Sequence, residues 1–207
     1  FLHGHAIGTQ FANKADHHTA TVTPLSGSPI GAFILGPVNQ NTDSVTWKFS
    51  LPDAAIDYLA VGQTIIQKYK ITINDGHGGK ATQVVTVRIV GSNDAPEIQS
   101  FYDGEREFPP TGFVTEDNPA DLVGPDLTTA GSFTFDDVDL IDTHTVTALK
   151  TGSTLLNGGG TLTPVITDSA TGAGNGTITW TYKVDNSLVQ YLDDNEQATE
   201  TFTVTVN

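Results

Sequence analysis

Oxygen-bearing side chains gather at two places in this chain, and together they could bind a hard cation. The run Asp136–Asp142 holds four carboxylates in seven residues, and Asn93 and Asp94 lie side by side further upstream. Ca²⁺ takes about six to eight oxygen ligands at about 2.3–2.6 Å, drawn from carboxylates, amides and backbone carbonyls. The sequence therefore predicts calcium ligands at both places.

The spacing inside the acidic run indicates which carboxylates can act together. In an extended segment, side chains two residues apart lie on the same face, so Asp137 and Asp139 face the same way. Asp136 and Asp142 face elsewhere unless a turn intervenes. So many carboxylates beside a strand repel one another unless a cation or full solvation offsets them. The predicted metal ligands are Asp75, Asn93, Asp94, Glu116, Asp117, Asp136, Asp137 and Asp139.

Several of these residues also have a structural interpretation. Asp75 precedes a glycine, as hairpin residues often do, and Asn93-Asp94 has the composition of a turn. Glu116 and Asp117 form a second candidate pair, either at the junction between the two domains or at the distal end of the second domain.

Histidines offer an alternative metal site. His3 and His5 could bind Zn²⁺ or Ni²⁺, but the sequence offers no fixed third ligand. His18 and His144 occupy matching positions in an internal repeat, and we expect both rings to be structural and to bond to backbone.

The composition limits the classes of protein to consider. The chain has 207 residues, no cysteine, 21 glycines and only 16% charged residues, which favours strands and turns and excludes disulfides and thiolate metal sites. A net charge of −15 argues against nucleic acid as a partner. No apolar run approaches the ~20 residues of a membrane helix, so we expect no membrane insertion in this segment.

The charge is distributed unevenly along the chain. Residues 1–95 carry six acidic and six basic residues, whereas residues 96–207 carry the other 18 acidic residues against three basic ones. Repulsion of that size disfavours a compact state unless cations offset it, although simple solubility would also account for the acidity.

The chain contains two divergent copies of one unit. Val45–Asn74 aligns without a gap on Ile178–Asn207 at an offset of 133, and His18–Thr21 matches His144–Thr147 at an offset of 126. We expect the seven-residue difference to lie in a longer loop near residues 171–176. A fixed internal repeat is typical of tandem domains.

Apolar and polar residues alternate within each copy, as expected of half-buried antiparallel strands. The sequence predicts an all-β protein of two tandem immunoglobulin/cadherin-like antiparallel β-sandwich domains. The first spans residues 1–92 and is expected to be N-terminally truncated. A linker spans 93–96, and the second domain spans 97–207 and is expected to be C-terminally truncated. Asp75–Gly79 is the predicted turn of a hairpin.

A set of motifs in order carries a family resemblance. Asp75–Val87 (DGHGGKATQVVTV) and Gly91–Pro96 (GSNDAP) resemble the end of a VCBS repeat. Glu116–Asn118 (EDN), Asp136–Thr145 (DDVDLIDTHT) and Trp180–Asn186 (WTYKVDN) resemble its beginning and middle. The resemblance implies the cadherin-like domains of RTX-type bacterial surface adhesins and lectins, with calcium commonly at domain junctions. By analogy with such a junction, Asn93 and Asp94 would join Asp137 and Asp139 around one ion, with Asp75 as a further candidate ligand.

These observations lead to a functional hypothesis. We expect a calcium-binding extracellular adhesin module, in which Ca²⁺ rigidifies the domain junction of a long bacterial surface protein involved in cell adhesion or biofilm formation. Its partners would be neighbouring domains of the same chain and polysaccharide or a cell surface, and the segment would be secreted and monomeric.

Two other functional classes are alternatives to this one. In a calcium-dependent lectin that binds exopolysaccharide, aromatic side chains would stack on sugar rings. A hydrolase would need an acid–base pair such as Asp136 and Asp139. No nucleophile motif or phosphate loop accompanies that pair, so we expect no enzyme. The candidate stacking residues are Phe101, Tyr102, Phe108 and Tyr191.

Overall fold

The computed structural model places the chain in two compact units, Phe1–Asn93 (unit 1) and Asp94–Asn207 (unit 2). The division falls at the start of the segment 93–96 that the sequence predicts to be a linker. The structure describes residues 2–8, 17–42, 44–99, 101–102, 107–116, 126–156 and 158–207, without the side chains of 2–8, 101–102 and 107–108.

Strands account for nearly all the regular structure. Two short 3₁₀ helices, Asp53–Ala55 and Asn186–Leu188, are the exceptions among the described residues. The strands are β1 (Leu2–Gly8), β2 (Thr19–Pro24), β3 (Ala32–Asn39), β4 (Ser44–Ser50), β5 (Thr64–Asn74), β6 (Lys80–Val90), β7 (Glu97–Ile98), β8 (Phe101–Tyr102), β9 (Glu107–Phe108), β10 (Asp126–Asp136), β11 (Val146–Ser153), β12 (Thr161–Asp168), β13 (Asn175–Asp185) and β14 (Glu200–Val206).

Unit 1 is a sandwich of two antiparallel sheets, in the orders β1-β4-β3 and β2-β5-β6. Its core lies between them, where Phe33 stacks on Trp47 and Tyr69 with ring centroids 5.1 and 4.3 Å apart. Val87 and Ile89 of β6 close the core from the second sheet. Burial of each such side chain contributes about 1.5–3 kcal/mol.

Unit 2 repeats this arrangement with the sheets β12-β13-β10-β7 and β11-β14. Phe133 and Phe135 of β10 pack with Ile178 and Trp180 of β13, and β11 and β14 cover them with partly buried valines. Strands β8 and β9 form a small separate ribbon. The predicted all-β sandwich fold is therefore confirmed.

The strand pairing reproduces the internal repeat. Ala20 faces Ile73 in unit 1, and Val146 faces Val206 in unit 2, which gives the offsets 126 and 133 found in the sequence. Pro164 faces Trp180 as Leu35 faces Trp47, at an intermediate offset of 129. Three of the seven extra residues of unit 2 thus lie between the start of β11 and Pro164, and four lie between Pro164 and Val206, so the expectation of a single longer loop near residues 171–176 was wrong.

Two further observations bear on the predicted elements. Asp75–Gly79 joins β5 to β6, and Gly76 and Gly78 have φ angles of +81° and +103°, which only glycine adopts readily. In the part of the chain that the structure describes, no helix has the length and apolarity to cross a membrane.

Candidate metal centre

The acidic run lies where β10 ends. Asp136 is the last residue of the strand and faces Asn175 of β13 and Glu97 of β7. Its Oδ2 accepts a 2.7 Å hydrogen bond from the side chain of Gln99. The chain then leaves the sheet, and the N–H of Asp137 donates to the carbonyl of Gly174 at 2.8 Å. The β12–β13 connection thereby fixes the direction of the acidic run.

Asp137 and Asp139 both point into the protein, although the segment bends at Val138 and is not the extended strand that the sequence predicts. Both are buried, with 3% and 1% of their surface exposed, whereas Val138 between them is 46% exposed. The N–H of Asp139 donates to Oδ1 of Asp137 at 2.8 Å, a local turn that aspartate side chains favour. The turn therefore keeps two carboxylates that are only two positions apart in sequence inside the protein.

His144 pairs with the first of these carboxylates. Its Nε2 lies 2.9 Å from Oδ2 of Asp137, and both side chains are almost fully buried. The ring stands edge-on to Phe135 at 5.0 Å, and its Nδ1 is buried with no hydrogen-bond partner among the described residues. The expectation that the ring bonds to backbone was therefore wrong for His144: a carboxylate holds it.

Asp139 has an incomplete set of partners. Its Oδ2 accepts a 2.7 Å hydrogen bond from the backbone N–H of Asp94. Its Oδ1 is buried and has no hydrogen-bond partner among the residues that the structure describes. A buried carboxylate oxygen without a donor is costly, because the water that it lost is not replaced. A cation, a water molecule or another hydrogen-bond donor could each satisfy this oxygen.

The described side chains do not form a complete metal site by themselves. No group of three or more histidine, aspartate or glutamate residues within the described ranges is arranged to hold an ion. Asp139 and Asp137 fit a hard cation by their chemistry, but the remaining ligands would have to be carbonyls, amides or water. Asp142 is tied into the same turn by its N–H, which donates to the carbonyl of Asp139 at 3.0 Å.

The structure brings only part of the predicted ligand set together. Asp94, Asp137 and Asp139 meet in unit 2, with Asp136 next to them along the chain, whereas Asn93 is the last residue of unit 1. Asp75 lies at the hairpin end of β6, and Asn93 follows the other end of that strand. Eleven residues at about 3.3 Å each separate the two ends by about 36 Å, so Asp75 cannot share an ion with Asn93.

Asp75 instead serves the hairpin turn. Its Oδ1 accepts hydrogen bonds from the N–H groups of His77 and Gly79 at 2.8 and 2.9 Å. The bond from His77 contributes most to holding the pKa of Asp75 below its ordinary value. The hairpin interpretation of this residue accounts for all these contacts.

Glu116 follows a segment that lies against β10 and β13. Four residues before it, Gly112 lies against Trp180 and Thr129, in the half of β10 remote from Asp137. Its Oε2 is buried without a hydrogen-bond partner among the described residues. Asp117, its predicted partner, lies outside the described residues, as do the side chains of His3 and His5.

A second buried polar cluster was not predicted from the sequence. Glu200 of β14 accepts hydrogen bonds from the Tyr182 hydroxyl and the Gly160 N–H, both at 2.6 Å, and lies 2.7 Å from the Lys150 ammonium. Burial by itself would raise the pKa of Glu200, but these donors outweigh it and hold that pKa below its usual value. The internal repeat could have indicated this cluster, because Gln67, which aligns with Glu200, is also polar and is buried in unit 1.

The neutral partner in this cluster is Tyr182. Its burial, followed by the adjacent Glu200 carboxylate, raises the pKa of the Tyr182 hydroxyl far above its ordinary value. The hydroxyl therefore remains a hydrogen-bond donor throughout the physiological range. The cluster links β11, β13 and β14, and the contacts given above all lie within unit 2.

Comparisons with known proteins give no independent assignment. No protein-family model matches the chain, and no curated protein matches it either.

Proposed function

We propose that this chain is a calcium-binding module of an extracellular bacterial adhesin, with Ca²⁺ held near Asp139 and Asp137. The observation that carries the proposal is the buried Oδ1 of Asp139, which has no donor among the described residues. Bound calcium would supply the missing positive charge. Asp139 would provide the free oxygen, Asp137 would provide a second carboxylate held by His144, and backbone carbonyls or water would complete the set.

The position of Asp94 connects this site to the domain linker. Its backbone N–H is bonded to Asp139, so any ligand that orders Asp139 also orders the residue at which the chain enters unit 2. The proposed role of calcium is to stiffen this entry segment, so that tandem domains extend a binding tip from the cell surface. The partners would be neighbouring domains of the same chain.

The charge distribution supports a cation. Residues 96–207 carry 18 acidic and three basic residues, so binding a divalent ion relieves repulsion in the folded state. An ion that binds only the folded unit stabilises it by RT ln(1 + [L]/Kd), about 2.7 kcal/mol at a concentration of 100 Kd. Extracellular modules often bind calcium at about 10⁻⁴–10⁻³ M.

Thermal unfolding and X-ray scattering of the full chain test the proposal, each in excess chelator, in calcium and in magnesium. We expect calcium to raise the unfolding temperature of unit 2 and to narrow the distribution of particle dimensions, whereas magnesium has little effect. Asp139→Asn should abolish the response. Asp126→Asn, which removes the same charge at the other end of β10, should leave it intact. Equal unfolding temperatures with and without calcium would rule the proposal out.

A calcium-dependent lectin is the second candidate function. Phe113 is 84% exposed, and it follows the exposed Pro109 and Pro110. Exposed aromatic rings can stack on sugar rings. Tyr191 is less suited to that role, because it is half-buried and its hydroxyl accepts a hydrogen bond from the Leu156 N–H. The side chains of Phe101, Tyr102 and Phe108 lie outside the described residues.

A glycan array probed with and without calcium distinguishes the two functions. A lectin should retain glycans only in calcium and lose them on Phe113→Ala. A spacer module should give no glycan signal under either condition while keeping its thermal response to calcium.

A further inference from the structure

The outer face of one sheet of unit 1 carries cations and no acidic residue. Every second residue of β2 from Thr19, of β5 from Thr64 and of β6 from Lys80 faces away from the core, and none of these positions is acidic. Four of the six basic residues in the range 1–95 lie among them, namely Lys68, Lys70, Lys80 and Arg88. We call this surface the cationic face.

Strand pairing arranges the four cations in a row along the sheet. Lys68 and Lys70 occupy alternate outward positions of β5, and Arg88 and Lys80 of β6 extend the row to the levels of β5 positions 66 and 74. Eight residues at about 3.4 Å each give the row a length of about 27 Å. None of the four forms an ion pair with a residue that the structure describes. The row therefore presents its charge to solvent.

Exposed aliphatic side chains lie between these cations. Ile66, Val84 and Val90 face outward from β5 and β6 and are 54%, 44% and 57% exposed. Leu25 is 50% exposed and lies beside Lys68, whose carbonyl accepts its N–H at 2.8 Å. The outward positions of the three strands include no aromatic residue that could stack on a sugar ring or a nucleic-acid base. Cations interleaved with aliphatic groups suit a lipid surface, which offers headgroup charge above an apolar layer.

The second copy of the repeat shows that the fold does not require the cationic face. At the offset of 133, Lys68 and Lys70 align with Thr201 and Thr203. Both threonines are exposed on β14, which pairs with β11 as β5 pairs with β2. A strand at this place in the sandwich therefore forms with threonine as readily as with lysine, and the cations are a property of unit 1 alone.

We propose that the cationic face is a docking surface for membranes that contain anionic lipid. Its basic side chains bind the headgroup phosphates and carboxylates, and Ile66, Val84 and Val90 contact the boundary with the acyl chains. The chain lies on the membrane surface and does not span it. The cationic face lies within unit 1 and uses none of the carboxylates near Asp139, so it is independent of the proposed calcium function.

Sedimentation of the full chain with lipid vesicles tests the proposal, in chelator so that calcium cannot bridge acidic residues to lipid. The vesicles contain phosphatidylcholine alone, or phosphatidylcholine with about a third phosphatidylserine. We expect binding to the anionic vesicles that weakens as salt rises, and at least about tenfold weaker binding to phosphatidylcholine alone. Replacing both lysines, Lys68→Thr with Lys70→Thr, should lower the partition coefficient about thirtyfold, which corresponds to about 2 kcal/mol. Equal binding of the parent chain to both kinds of vesicle, or to neither, would overturn the proposal.

Two single substitutions provide matched controls. Lys48→Thr removes an exposed lysine from β4 in the other sheet of unit 1, at a position that aligns with Thr181, and should leave binding unchanged. Ile66→Thr, at a position that aligns with Thr199, should weaken vesicle binding about fourfold without changing its salt dependence, because about one CH₂ less reaches the lipid. Equal losses for Lys48→Thr and Lys68→Thr would contradict a role for this particular face.

A soluble polyanion distinguishes lipid from other sources of negative charge. Heparin competes for the cations but offers no apolar layer, so we expect it to displace the chain from vesicles only weakly and at low salt. Heparin binding as tight as vesicle binding, together with vesicle binding that is indifferent to Ile66→Thr, would assign the face to an acidic polysaccharide and overturn the proposal.

Discussion

The backbone N–H of Asp94 donates a 2.7 Å hydrogen bond to Oδ2 of Asp139, which ties the first residue of unit 2 to a carboxylate 45 positions later. This bond satisfies one oxygen of the buried Asp139 carboxylate and leaves the other without a described donor. Adding calcium, removing the Asp139 charge and removing a hydrogen-bond partner in this turn should therefore each change the stability of unit 2 in a different way.

Asp139→Asn should have opposite effects with and without calcium. In chelator, the substitution removes an incompletely satisfied buried charge, so the free energy of unfolding of unit 2 should rise on the order of 1–3 kcal/mol. In calcium the substitution should eliminate the stabilisation by the ion. Urea unfolding under both conditions measures the two effects, with Asp126→Asn as the charge-matched control. A variant destabilised equally under both conditions would contradict this account.

The His144–Asp137 pair should be strongly coupled. Removal of one member leaves the other buried without its partner, which typically costs about 3–5 kcal/mol. We expect His144→Ala and Asp137→Asn each to destabilise unit 2 and the double variant to cost clearly less than their sum. A double-mutant cycle by chemical denaturation measures the coupling. His17→Ala removes an exposed histidine and should have little effect; full additivity of the two buried substitutions would argue against the pair.

Glu200 should make the stability of unit 2 sensitive to acid. Its pKa in the folded state lies below the usual 4.5, so its contribution is fully present above pH 4.5 and is lost as the pH falls through the lower, folded-state pKa. Glu200→Gln introduces the residue type found at the aligned Gln67 and cannot titrate. Denaturant unfolding across the acidic range should show a shallower loss of stability for this variant than for the parent chain. Parallel pH profiles would show that Glu200 is not the group responsible.

Asp75 should prove to be a turn residue whose role does not require calcium. Asp75→Asn retains an oxygen that can accept from the N–H groups of His77 and Gly79, so it should preserve the stability of unit 1. Asp75→Ala removes that acceptor and should lower the unfolding temperature equally in calcium and in chelator. Differential scanning calorimetry compares the variants. A calcium-dependent loss in Asp75→Asn would instead make this residue a ligand.

Local patterns in the sequence determined the strands and part of the site. Alternation of apolar residues predicted the sandwich, because the two faces of a strand experience different surroundings. The same two-residue period predicted that Asp137 and Asp139 lie together; both are buried on either side of the exposed Val138, but a local turn and not an extended strand holds them there. The repeat also aligned the units correctly, and strand pairing reproduces both of its offsets.

Only the tertiary structure decided how these elements are connected by side chains. The bonds from Asp94 to Asp139 and from Tyr182 to Glu200 join segments distant in sequence, and local periodicity carries no information on such partners. Tertiary geometry also separates Asp75 from Asn93, because a strand of eleven residues lies between them. Composition and spacing thus located the carboxylates, whereas packing decided which were buried, which were satisfied and which oxygen of Asp139 remained without a described donor.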